Sequence, residues 1–99
     1  MTINKTLDGT NLTLALEGRL DTMTAPELET ELNRSLDGVK SLVLNFSKLD
    51  YISSAGLRVL LSAHKAMSAK DGMKVTNVNE IVREVFEVTG FADILTIEA

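Results

Sequence analysis

The stretch Ser-Leu-Val-Leu-Asn-Phe at residues 41–46 decides the fold. It is nearly all apolar and too short to form a helix alone, which is typical of a strand in the middle of a sheet. Apolar side chains at successive positions are expected where both faces of a strand are covered by helices. The segment therefore predicts a central strand that is buried on both faces.

The chain before this strand predicts a hairpin. Residues 2–7 and 11–18 have the pattern of two short strands, and the pair Asp8-Gly9 between them favours a tight turn. In the second strand leucine alternates with smaller or polar residues over positions 12–17, which places the leucines on one face.

A helix is predicted between the hairpin and the central strand. Leucine recurs at every fourth position, as Leu28, Leu32 and Leu36. This spacing predicts an amphipathic helix over about residues 25–36 that ends near Gly38. Thr24 and Glu27 have the spacing of a capping box, which would satisfy the free N–H groups at the start of that helix.

Two further helices and two strands are predicted after the central strand. A helix should run from Ser54 to about Ala69, with an apolar stripe at Leu57, Leu60, Leu61, His64 and Met67. Residues 73–78 predict a strand. Asn79 can cap a third helix that ends at Gly90, with a stripe at Ile81, Val82, Val85 and Phe86. Residues 94–97 predict the last strand.

The order of these elements defines an α/β fold. After the hairpin, each strand–helix–strand unit favours a right-handed crossover and parallel pairing. The expected architecture is one domain over residues 1–99, with a small mixed and mostly parallel sheet of about five strands. Three or so helices are expected to pack on that sheet, largely on one face.

Composition narrows the possible functions. Cysteine is absent and there is a single histidine, which argues against disulfides and against thiolate or multi-histidine metal sites. The net charge of −4 argues against nucleic acid as a partner. No apolar run is long enough to insert into a membrane, and no signal-peptide pattern is present at the N-terminus. We expect a cytoplasmic protein without cofactors.

The segment Asp-Tyr-Ile-Ser-Ser-Ala-Gly-Leu at residues 50–57 is the best candidate for a functional site. We expect Ser54 at the N-cap of the second helix, where free N–H groups and the positive end of the helix dipole meet. One interpretation is purely structural, with Ser53 and Ser54 as turn and cap residues. Catalysis by Ser54 is not expected, because His64, the only candidate base, lies ten residues further along the same helix. The sequence thus predicts that the chain is not an enzyme.

This segment resembles the phosphorylation loop of the STAS domain family, and especially of stand-alone anti-sigma-factor antagonists. In that family the loop commonly has the sequence Asp-Ser-Ser-Gly-Leu or Asp-Ser-Ala-Gly-Leu. The segment Gly-Arg-Leu-Asp at residues 18–21 is similar to the family's Gly-x-Leu-Asp motif before the first helix. The resemblance covers essentially the whole chain. Two positions differ from the common pattern, since Ser53 and Asn45 stand where many relatives have Asp.

The resemblance implies a partner-switching cycle. The unmodified protein would bind an anti-sigma factor that is also a serine kinase, phosphorylation would end the binding, and a serine phosphatase would reset the switch. By motif position the modified residue is Ser54, with Ser53 as the second choice. The implied partner-binding residues are Asp21, Ser53, Ser54, Ala55, Gly56 and Arg58. An alternative on the same fold is an unphosphorylated binding subunit of a membrane transport ATPase or a sensory complex.

Overall fold

The computed structural model describes residues 1–98 and contains five strands and three α-helices. The strands are β1 (Thr2–Asp8), β2 (Asn11–Leu20), β3 (Ser41–Ile52), β4 (Met73–Thr76) and β5 (Thr96–Glu98). The helices are α1 (Ala25–Ser35), α2 (Ser54–Ser68) and α3 (Glu80–Thr89), and a short 3₁₀ turn covers Phe91–Asp93.

The strands form one sheet in the order β1-β2-β3-β4-β5. The hairpin β1–β2 is antiparallel, and the other three pairs are parallel. Three buried side chains, Leu14, Leu44 and Val75, lie side by side across the centre of the sheet. The predicted mixed and mostly parallel sheet is therefore confirmed.

The helices cover only one face of the sheet. Along β3 the buried residues Leu42, Leu44 and Phe46 alternate with the half-buried Val43 and Asn45. The prediction that this strand is buried on both faces is therefore wrong. The apolar side chains of all three helices join a single core on the covered face, where the rings of Phe46 and Phe86 have centroids 6.4 Å apart.

The central strand β3 is also longer than predicted, since it continues to Ile52. Its register against β2 shifts twice, between Ala15 and Glu17 and between Gly18 and Arg19. Such bulges change which residues face the core. Beyond Phe46 the next buried residues are therefore Leu49 and Ile52, and the simple apolar pattern of residues 41–46 is lost.

Two other strand boundaries differ from the sequence-based expectation. β4 ends at Thr76 because Asn77 adopts a positive φ of 57°, which interrupts an extended strand. β5 begins at Thr96 and not at residue 94, because Ile94 still belongs to the turn that follows Phe91–Asp93. The two ends of α3 are as predicted. Asn79 accepts a hydrogen bond from the Val82 N–H at 2.8 Å, and Gly90 ends the helix with φ 81°.

Candidate functional site

The candidate site lies where β2 and β3 end side by side. Leu20 and Ile52 are paired in the parallel ladder, and the N–H of Ser53 donates to the Leu20 carbonyl oxygen at 2.9 Å. The next residues, Asp21 and Ser53, therefore leave the sheet at neighbouring points. Carboxyl ends of parallel strands are a common place for binding sites in α/β folds. The two predicted motifs are thus brought together, although 33 positions separate Asp21 from Ser54 in the chain.

The two serines of the motif have different environments. Ser53 is the N-cap of α2, in an extended conformation with φ −102° and ψ 176°, and Ser54 is the first helical residue. The expectation that Ser54 is the N-cap is therefore wrong by one position, because Ser53 still continues the direction of β3. The Ser53 hydroxyl is shielded from solvent and has no hydrogen-bond partner among residues 1–98. Ser54, in contrast, is exposed.

Gly56 holds the start of α2 close to the sheet. A Cβ atom built at this position would lie 2.7 Å from Leu20 Cγ and 2.9 Å from Ile52 Cγ1, both of which are too close. Gly56 is buried and packs against the paired ends of β2 and β3. Its part in the site is therefore to position α2, while Ser54 and Arg58 form the exposed surface.

Asp21 organises the loop that precedes α1. Its Oδ1 accepts hydrogen bonds from the N–H groups of Met23 at 3.0 Å and Thr24 at 3.1 Å, and its Oδ2 lies 3.6 Å from Arg19 Nε. Desolvation by itself raises the pKa of Asp21. The hydrogen bonds from Thr24 and Met23 and the charge of Arg19 lower it more, so that the net pKa lies below the usual value. Asp21 is therefore held as a carboxylate.

The predicted capping box at the start of α1 does not form. Thr24 has helical angles, with φ −101° and ψ −19°, and its side chain does not cap α1. Its hydroxyl instead donates to the Arg19 carbonyl oxygen at 2.7 Å and accepts from the Asp21 N–H at 2.8 Å. The prediction is wrong because the Thr24 hydroxyl bonds within the loop that precedes α1. The side chain that accepts from N–H groups there is that of Asp21.

A cation–π pair flanks Asp21. The guanidinium carbon of Arg19 lies 4.5 Å from the centre of the Tyr51 ring, and the two residues are partners in the β2–β3 ladder. The sequence motifs alone do not indicate a role for either residue. Their contact depends on the register after the two bulges, and no residue pattern reveals that register.

The accessible part of the site, termed here the Ser54 surface, consists of Asp21, Met23, Ser54, Ala55 and Arg58. Met23 is 84% exposed at the tip of the loop. Beside it, a shallow groove of about 200 Å³ runs between α1 and α2. The groove is lined by Thr22, Ala25, Pro26, Glu29, Ala55, Arg58 and Val59. An open surface of this kind is suited to contact with another protein.

Two other kinds of site are not found over residues 1–98. No three His, Asp or Glu side chains in that range are grouped so that they could hold a metal ion. Within the same range, no helix has the length and apolar character needed to cross a membrane.

Comparison with known proteins places this chain in a family. The model of the STAS domain matches residues 2–99, and the chain belongs to the STAS domain family. It is 39% identical to the putative anti-sigma factor antagonist BtrV of Bordetella bronchiseptica, over 98% of this chain and 84% of that protein. It is 31% identical to the anti-sigma-B factor antagonist of Staphylococcus aureus, over 79% of this chain and 74% of that protein.

Solved structures show the same fold at lower sequence identity. An anti-sigma factor antagonist from Mycobacterium paratuberculosis superposes with a TM-score of 0.88 at 21% identity, over 98% of this chain and 84% of that chain. The antagonist SpoIIAA in its unphosphorylated form superposes with a TM-score of 0.75 at 18% identity, over 97% of this chain and 86% of that chain. These similarities confirm the STAS-like α/β architecture.

Proposed function

We propose that this chain is an anti-sigma-factor antagonist that is switched off by phosphorylation of Ser54. In the unmodified state, the Ser54 surface binds an anti-sigma factor that is also a serine kinase. Phosphorylation ends that contact, and a serine phosphatase restores it. The names of the two relatives at 39% and 31% identity support the antagonist role. Such a cycle belongs to the cytoplasm, where sigma factors act.

The difference between the two serine hydroxyls carries the proposal. A kinase must reach the hydroxyl oxygen that it modifies. The Ser53 hydroxyl is covered, whereas Ser54 is exposed on the first turn of α2. The exposure of Ser54 therefore supports Ser54 over Ser53 as the phosphate acceptor.

The position of Ser54 also supports a switch that leaves the fold intact. A phosphate adds about −1.5 to −2 charges at pH 7. The first turn of α2 holds no acidic residue, and the N-terminal end of a helix favours negative charge. At a packed interface the same charge must be desolvated or repelled. A penalty of about 3 kcal/mol already weakens binding more than about a hundredfold.

The test is to incubate the protein with its cognate anti-sigma kinase and ATP and to locate phosphate by mass spectrometry. We expect one phosphate on Ser54, no phosphate on S54A, and normal phosphorylation of S53A. S53A is the matched control because it removes the neighbouring hydroxyl and leaves Ser54 in place. Phosphate on Ser53, or on neither serine, would contradict the proposal. Complete absence of modification together with tight binding to a transport ATPase would favour the alternative role on this fold.

A further inference from the structure

A second surface of the molecule, on α3, is apolar and exposed. The sequence predicts that Ile81, Val82, Val85 and Phe86 share one stripe of the third helix. The structure divides this stripe in two. Val82 and Phe86 are fully buried, while Ile81 is 60% exposed and Val85 is half-buried. The predicted stripe is therefore only partly buried, because the sheet covers one side of a helix that is apolar over a wider arc.

The exposed residues form a regular stripe. Ile81, Val85 and Val88 lie at positions i, i+4 and i+7 of α3, so their side chains share one face. Val88 is 80% exposed, and the three residues line a shallow groove of about 290 Å³ together with Glu84 and Thr89. A surface helix usually shows polar residues on the side away from the core. An aligned aliphatic stripe in that position is typical of a contact with another helix.

An acidic stripe runs directly beside the apolar one. Glu80, Glu84 and Glu87 have the same i, i+4, i+7 spacing and are exposed, each one residue before a member of the apolar stripe. On a helix this offset places the two stripes about 100° apart. Within residues 1–98 none of the three glutamates forms an ion pair within 4.0 Å. Arg83, the basic residue of α3, lies on the far side of these glutamates from the apolar stripe. The flank that adjoins the stripe is therefore acidic.

We propose that the α3 surface, defined as the Ile81, Val85 and Val88 stripe with its glutamate flank, docks an amphipathic helix of another protein. That helix carries an aliphatic stripe flanked by lysine or arginine. The aliphatic side chains bury the stripe, and the basic flank pairs with Glu80, Glu84 and Glu87. The α3 surface shares no residue with the Ser54 surface, so substitutions can test the two one at a time.

The charges disfavour an antiparallel pair with a second copy of this chain as the occupant. In an antiparallel two-fold pair of α3 helices, the same flank of each helix meets its symmetry mate. The three glutamates of one copy would then face the three of the other. The net charge of −4 on each chain adds to the repulsion. With a basic partner this repulsion is absent, and the lysine or arginine side chains of that partner attract the glutamates of α3.

The test uses the full chain and two synthetic helical peptides of about 20 residues, a length at which isolated helices become stable. Both peptides carry the same leucine stripe, which is flanked by lysines in one and by glutamates in the other. Affinity is measured by fluorescence anisotropy, and the site is mapped by amide chemical shifts. We expect the lysine peptide to bind at least about tenfold more tightly, equivalent to about 1.4 kcal/mol, with shift changes centred on α3.

Variants locate the contact. We expect V88S to weaken binding of the lysine peptide about tenfold or more. We expect E84K to reduce the difference in affinity between the lysine peptide and the glutamate peptide. L7S is the matched control, since Leu7 is 57% exposed on β1, and it should bind as the parent does. Equal affinity for the two peptides, no binding, or unchanged binding by V88S would overturn the proposal. A dimer in sedimentation that V88S dissociates would instead assign the surface to self-association and also overturn it.

Discussion

Gly56 and Leu20 are in direct contact across the boundary between α2 and the sheet. A Cβ atom on Gly56 would lie 2.7 Å from Leu20 Cγ, although the two residues are 36 positions apart in the chain. The hydrogen bond from the Ser53 N–H to the Leu20 carbonyl joins the same two segments. Together they fix the start of α2 against the end of β2. The exposed Ser54 therefore stands on a rigid support.

Replacement of Gly56 by alanine should destabilise the protein. At an ordinary helix position, alanine is more favourable than glycine by about 1 kcal/mol. Here the added methyl group overlaps Leu20 and Ile52, and such overpacking costs about 1–3 kcal/mol. We expect G56A to lower the free energy of unfolding in urea, while S62A, at an exposed position of the same helix, leaves it unchanged or raises it slightly. A G56A protein more stable than the parent would show that the contact is loose.

Replacement of Ser54 by aspartate should weaken binding to the anti-sigma factor without destabilising the fold. The first turn of α2 contains no acidic residue, so a carboxylate there should leave the free energy of unfolding unchanged or raise it by about 0.3–1 kcal/mol. Binding to the anti-sigma factor, measured by titration calorimetry, should fall by more than about a hundredfold. S62D, about two turns along the same helix, is the control and should bind normally. Normal binding by S54D would disprove the switch.

Much of the fold follows from patterns within short segments. The four-residue repeat of Leu28 and Leu32 predicts α1, and the apolar run at residues 41–46 predicts the central strand. The second half of β3 could not be predicted, because the bulges against β2 interrupt the alternation and place Ser47 and Lys48 in the strand. Bulges arise from pairing with another segment, and a local pattern does not contain that information.

The site shows the same division. The motifs at residues 18–21 and 50–57 are enough to single out Asp21 and Ser54 as candidates, and the resemblance to a family adds Arg58. The covered hydroxyl of Ser53 could not be foreseen, because it depends on the packing of the folded chain around that residue. The contact of Arg19 with Tyr51 likewise depends on the strand register. A motif in the sequence can therefore name candidate residues, whereas their accessibility depends on how the chain packs.

The lowered pKa of Asp21 predicts a dependence of stability on pH. A carboxylate with a depressed pKa in the folded state stabilises the fold above its unfolded pKa of about 3.9, and this contribution disappears as the pH falls through the folded value. Asn at position 21 keeps the acceptor for Met23 and Thr24 but loses the charge. We expect D21N to have a lower free energy of unfolding than the parent at pH 7. The difference between the two proteins should become smaller below about pH 5.

The measurement is urea unfolding of both proteins at a series of pH values. D50N, which removes one carboxylate from an exposed position of β3, controls for the change in net charge. A gap between D21N and the parent that stays constant or widens towards low pH would contradict the role assigned to the Asp21 carboxylate.

Asn79 links α3 to β3 through both polar groups of its side chain. Its Oδ1 accepts from the Val82 N–H and its Nδ2 donates to the Leu49 carbonyl, each at 2.8 Å. N79A loses both bonds and should lower the free energy of unfolding by about 1–2 kcal/mol. N79D keeps the cap and places a favourable charge at the helix N-terminus, but it loses the donor to Leu49. Its stability should therefore lie between those of the parent and N79A.

Hydrogen exchange can separate the two roles of Asn79. The Val82 amide should lose protection in N79A and keep most of it in N79D, because only the aspartate retains the acceptor for this N–H. N33A, an exposed substitution on α1, is the control and should change neither stability nor exchange at Val82. If N79D and N79A were equally destabilised and equally unprotected, the cap would contribute little. The bond to the Leu49 carbonyl would then be the contact that holds α3 in place.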